Sequence, residues 1–68
     1  MHPEFFVWYF EEYEWAGRTE YKKIVYRKNL SLFQAHEIAG KLEKNYSKED
    51  VGIEKMENIH LAIYVEEK

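Results

Sequence analysis

Cysteine is absent from these 68 residues, which removes disulfides and thiolate zinc sites from the means of holding a small domain together. There are one proline and three glycines, too few for a flexible linker or a low-complexity chain. No apolar run approaches the roughly 20 residues that a membrane-spanning helix needs. The opening Met1-His2-Pro3-Glu4 has neither the basic n-region nor the cleavage site of a signal peptide. With cysteine missing as well, the expected compartment is the reducing cytoplasm, and a membrane is not an expected partner. Excess basic charge is also lacking, the formal net charge being −3. Neutralisation of phosphates by Lys and Arg supplies most nucleic-acid affinity, so nucleic acid is not the expected main partner.

What the chain has is ring surface: two Trp, six Tyr and four Phe. At this length there is room for a single domain, residues 1–68. A core of that size supplies only roughly 3–5 kcal/mol, so chains of this kind commonly lean on a partner or a second copy.

Residues Phe5 to Trp15 read as a strand, dominated by Phe, Val, Trp and Tyr. Its first half, Phe5-Phe6-Val7-Trp8-Tyr9-Phe10, is apolar on both faces, whereas a strand with one buried face alternates. Ala16-Gly17-Arg18 is the turn signal, and Thr19 to Lys28 form the second strand. The first strand is acidic (Glu4, Glu11, Glu12, Glu14) and the second basic (Arg18, Lys22, Lys23, Arg27, Lys28). A three-residue loop sets Glu12 opposite Lys22, Glu11 opposite Lys23, Phe10 opposite Ile24 and Tyr13 opposite Tyr21. A two-residue Ala16-Gly17 turn shifts every pair.

Ser31 is a good N-cap, and Gln34 stands at capping-box spacing from it. Leu32, Ala35, Ile38, Ala39, Leu42 and Tyr46 then follow a 3.6-residue period and form one apolar stripe. Asn45 to Asp50 read as the exit loop. From Val51 onward the period returns to two: Val51, Ile53, Ile59, Leu61, Ile63 and Val65 share parity. They form one long strand, or a hairpin turning at Glu57-Asn58-Ile59 with Ile53 opposite Ile63; strand length favours the hairpin. The expected fold is α+β, an antiparallel sheet of three to four strands with one helix across one face, in the order β-β-α-β-β or β-β-α-β.

One helix cannot bury both faces of the aromatic hairpin. In the three-residue-loop register, Phe6, Trp8, Phe10, Ile24 and Tyr26 share one face. Phe5, Val7, Tyr9, Tyr13, Trp15, Tyr21 and Val25 share the other. The face left uncovered by the helix is closed by a second copy, by a foreign protein or by the chain's own C-terminal segment, the first two making it an interaction surface. Trp8, Tyr9, Tyr13 and Trp15 are its candidate anchors, with Tyr21 beside them. A single-stranded nucleic-acid surface built from Tyr21, Tyr26, Lys23 and Arg27 is the runner-up. Cross-strand pairing of Glu11, Glu12 and Glu14 with the basic strand accounts for those charges more simply.

On the helix, Phe33 lies off the stripe, with His36 and Gly40 on its flank. Folding back of Phe33 toward Leu30 is the favoured reading. The histidines His2, His36 and His60 share no ligand spacing, the carboxylates have no nucleophile nearby in sequence, and there is no phosphate-binding loop. No catalytic residue, metal, cofactor or small-molecule substrate is therefore expected.

Gly17-Arg18, the tyrosine-bearing basic strand and Tyr26-Arg27-Lys28-Asn29-Leu30-Ser31-Leu32 leading into a helix resemble the short Bacillus-phage-type uracil-DNA glycosylase inhibitors. The resemblance covers residues 17–32. It implies a cysteine-free β-β-α-β dimer that blocks a host enzyme, with Phe33 and Glu37 in the place of a helix-borne aromatic and acidic pair that seats an apolar residue of the target. The expectation is a viral or mobile-element protein that inhibits a host DNA-processing or defence enzyme by occlusion, acting as a homodimer.

Overall fold

The computed structural model describes residues 4–61. Strand β1 (Phe5–Trp15) turns back into β2 (Arg18–Leu30), helix α1 (Leu32–Leu42) follows, and a short 3-10 turn (Lys48–Asp50) leads into β3 (Val51–Lys55). A second 3-10 helix spans Met56–Leu61. The sheet is antiparallel with strand order β2-β1-β3, and α1 packs across one face. This is the α+β class read from the sequence, in the order β-β-α-β among the described residues.

The hairpin closes on two residues, Ala16 (φ 54°) and Gly17 (φ 78°), with Trp15 opposite Arg18. Positive φ at both central positions matches the right-handed twist of the strands it joins. The three-residue loop is therefore corrected, and with it every pair. Glu11 faces Lys22, Phe10 faces Lys23, Tyr9 faces Ile24 and Trp8 faces Val25. A one-residue slip moves a whole strand to the opposite face. Ile24 accordingly joins Tyr9 on the helix side, while Val25 and Tyr21 lie on the far side with Trp8 and Glu12.

Two register shifts follow, between Val7 and Trp8 and between Phe5 and Val7. Each adds a residue to β2, and the second contains Asn29 at φ 61°, a conformation Asn tolerates better than most residues. Such bulges bend a strand, and here they carry β2 into the capped start of α1. Ser31 Oγ accepts from the Gln34 amide at 3.1 Å, and the Gln34 side chain accepts from the Ser31 amide at 3.0 Å. The expected capping box is in place.

The core lies between α1 and the odd-numbered side of β1. Val7, Ala35, Ala39, Leu42 and Val51 are buried, with Phe5, Tyr9, Leu30, Ile38 and Ile53 packed around them. Leu32, expected on the stripe, is exposed. The helix stops at Leu42, so Tyr46 reaches the core edge from the exit turn rather than from the helix.

On the far face, Phe6 is fully buried, and the 3-10 helix Met56–Leu61 contacts all three strands. This overturns the single long strand: Glu57, Asn58, Ile59 and Leu61 belong to a helical turn, which falls where the hairpin reading set its turn, and the facing strand of that hairpin lies outside the described residues. Ile63 and Val65 lie outside the described residues. The far face at Phe6 is thus shielded by the chain itself, one of the coverings the sequence left open, and not by a second copy or a foreign protein.

β3 pairs with β1 only as far as Tyr9 opposite Val51. Beyond that point residues 10–15 and 18–23 continue as a two-stranded arm roughly 20 Å long. It gives the molecule extents of 46 × 25 × 22 Å.

Candidate protein-binding surface

The base of the arm is fixed by Trp8. Its indole lies across Gly52 of the neighbouring strand, where a β-carbon would stand 2.1 Å from Cζ2 of the ring. Glycine is therefore required at 52 by close approach, a recurrent use of glycine inside a strand. Phe10 packs obliquely on the ring at 5.0 Å between centroids. The Lys23 ammonium sits over the ring at 4.3 Å and bonds Glu54 at 2.9 Å. The cation is thus shared between an aromatic face and a carboxylate, both half-buried, where screening by water is reduced. Trp8 Nε1 is buried and has no hydrogen-bond partner among the described residues.

The helix-side face of the hairpin carries a run of rings. Tyr9 contacts Tyr46 at 4.9 Å and Tyr26 at 6.1 Å, the latter edge-to-face. Tyr26 shares this side with Ile24, two residues before it on β2. Further along come Tyr13, with the Lys22 ammonium 4.9 Å from its ring centre, and then Trp15. Arg27 stacks on Tyr26 at 4.3 Å and donates to its carbonyl. Tyr46, Tyr26, Tyr13 and Trp15 are all exposed, Trp15 at 66 %. They form a strip from the end of α1 to the tip of the arm. Tyr21, 62 % exposed, stands on the other face of the arm opposite Glu12.

The candidate anchors fall into three groups. Trp8 and Tyr9 are half-buried and integrate the sheet. Tyr13, Trp15 and Tyr21 are exposed on the arm. Phe33 and Glu37 are exposed on α1. Phe33, at 73 % exposure, does not fold back on Leu30, so the favoured reading of that side chain is corrected. It sits at the start of α1, where β2 ends, away from the arm. The arm residues and the helix residues thus make two surfaces.

The nucleic-acid quartet is likewise divided. Tyr26 and Arg27 are on the helix side or the strand edge, Tyr21 is on the far face, and Lys23 is held by Trp8 and Glu54. Neither face of the hairpin gathers these aromatic and basic groups into a single track.

Sequence reasoning missed Gly52 and Glu54. A glycine inside a period-two run was the available signal for the first. Glu54 had none, because its partner Lys23 is distant in sequence.

These features define a small α+β domain with a protruding aromatic hairpin. Comparison with known proteins finds no matching family model, no similar curated protein and no similar solved structure.

Proposed function

We propose that this chain is a non-enzymatic protein-binding module whose partner seats on the aromatic arm. The observation that carries this reading is the exposure of Trp15, Tyr13 and Tyr21 on a two-stranded arm that, among the described residues, no layer of the domain covers. Large rings at this degree of exposure gain little from folding, yet they supply rigid, amphipathic contact area at low entropic cost. Alternating Glu11, Glu20, Arg18 and Lys22 around them favour a polypeptide of mixed charge over a polyanion. The activity most consistent with a rigid projection on a small domain is occlusion of a host enzyme, one that acts on DNA or in defence.

The test is affinity capture from host lysate with wild type, Trp15→Ala, Tyr13→Ala and Tyr21→Ala, each shown folded by circular dichroism. Loss of one and the same captured protein in the arm variants supports the reading. Retention of every captured protein by all three variants refutes it.

A further inference from the structure

The domain carries a second surface, independent of the arm, and the geometry points to a second copy of this chain as its occupant: we propose that β3 pairs with β3 of the second copy about a two-fold axis. Among the described residues β3 is a sheet edge. The Met56 amide donates to the Glu4 carbonyl. Alternation from that bond turns Phe6 and Trp8 toward Glu54 and Gly52, and aims the backbones of Ile53 and Lys55 away from β1. The Val51 carbonyl points the same way, while its N–H is satisfied by Lys48. An outward row of this kind is a template for another strand.

The row is self-complementary. Antiparallel pairing centred on Ile53 sets Ile53 opposite Ile53 of the second copy, and Lys55 opposite Val51. Each Ile53 amide then donates to the other Ile53 carbonyl, and each Lys55 amide to a Val51 carbonyl.

Helix α1 obeys the same symmetry. It packs on Val7 of β1 and Val51 of β3 and so lies over the seam between them. With strands about 4.8 Å apart, two such helices related by the axis run antiparallel about 10 Å apart, a normal packing distance. The flank that meets is Phe33, His36, Gly40 and Glu43. His36, Gly40 and Glu43 line a shallow groove of about 410 Å3 with Lys48, Val51 and Ile53. Antiparallel register centred on Ile38 places His36 against Gly40 of the second copy, a large residue against a small one. It also places the exposed Phe33 beside the other groove end, at Glu43. A β-carbon on Gly40 meets nothing within 4 Å, so the space it leaves is open to a neighbour. A foreign strand supplies the hydrogen bonds of the edge, but it does not supply this matched helix. The resulting sheet has the order β2-β1-β3-β3-β1-β2 and sends its two aromatic arms to opposite ends.

The test is sedimentation velocity across serial dilution. Wild type is expected to be a reversible dimer. Gly40→Arg fills space open in the monomer and improves helix propensity, so it should raise the thermal midpoint of the dilute protein. The same change should raise the dimer dissociation constant by roughly a hundredfold. Lys55→Pro removes two of the intermolecular donors at an exposed position and should also yield a folded monomer. Trp15→Ala should remain dimeric, which separates this surface from the arm. The proposal is overturned by a wild type that stays monomeric at the highest concentration, including one whose β3 amides lose exchange protection on deletion of residues 62–68. A dimer indifferent to both Gly40→Arg and Lys55→Pro, or one lost in Trp15→Ala, overturns it as well.

Discussion

Gly52→Ala is the substitution that most sharply probes how the arm is anchored. The added β-carbon would stand 2.1 Å and 2.3 Å from Cζ2 and Cε2 of Trp8. Relaxed carbon contacts lie at about 3.5–4.0 Å, so ring and strand must separate by roughly 1.4 Å. The ring is held on its other side by the Lys23 ammonium at 4.3 Å and by Phe10. It cannot withdraw without loosening the Lys23–Glu54 pair. Overpacking of this kind costs about 1–3 kcal/mol. Against this, alanine recovers about 0.5–1 kcal/mol of the backbone entropy that glycine loses on folding. The net expectation is a destabilisation of about 1–2 kcal/mol, or a fall of roughly 4–16 °C in midpoint for a domain of this size.

In a Trp8→Leu background the atoms that clash are gone, and the same substitution should stabilise by about 0.5 kcal/mol. The change of sign is the discriminating result. It corresponds to a coupling of about 2 kcal/mol between residues 8 and 52. The assay is thermal and urea denaturation followed by far-UV circular dichroism, all four proteins at one concentration because association shifts apparent stability. Equal effects of Gly52→Ala in the two backgrounds would refute the reasoning.

Three further outcomes follow from the same structure. Ala16 sits at φ 54°, where an L-residue is disfavoured; Ala16→Asn gives the preferred Asn-Gly turn and should raise stability by about 0.5–1 kcal/mol in a denaturation series. Ser31→Ala removes the cap on the Gln34 amide and should cost about 1 kcal/mol by the same measurement, with Ser31→Asp restoring most of it. Glu54→Gln takes the charged partner from Lys23; it should cost about 1 kcal/mol at low ionic strength and less in added salt, and a loss independent of salt would show that the pair acts through packing.

The elements with local signals were legible. The capping box at Ser31 and Gln34 located the start of α1, and the spacing of Ala35, Ala39 and Leu42 gave its buried side. Acidic and basic strands around Ala16-Gly17 gave the hairpin. The register was not legible, because an alanine at positive φ carries no compositional mark and a two-residue turn looks like a three-residue one. The two bulges in β2 were hidden for a related reason: each is one uncompensated residue whose position depends on how β2 reaches the helix. The segment after Lys55 stayed open between one strand and a hairpin because period two runs on past Ile59; the helical turn at Met56–Leu61, which touches all three strands, excludes the single strand, and those contacts have no mark in the sequence. Of the candidate surface, the excess of rings and its concentration in the first hairpin were visible. Which rings integrate the sheet and which stand free was not, since it depends on β3 ending at Tyr9 while β1 runs on to Trp15.

On the proposed function, Trp15 serves a partner and not the fold. Truncation to alanine should leave stability within about 0.5 kcal/mol of wild type while weakening partner binding by roughly thirtyfold or more. The most direct measurement is photo-crosslinking in host cells from benzoylphenylalanine placed at position 15, compared with the same probe at exposed position 44. The account predicts one discrete protein adduct from position 15, competed away by untagged wild type and absent from position 44. No adduct from position 15, or the same adducts from both positions, would contradict it.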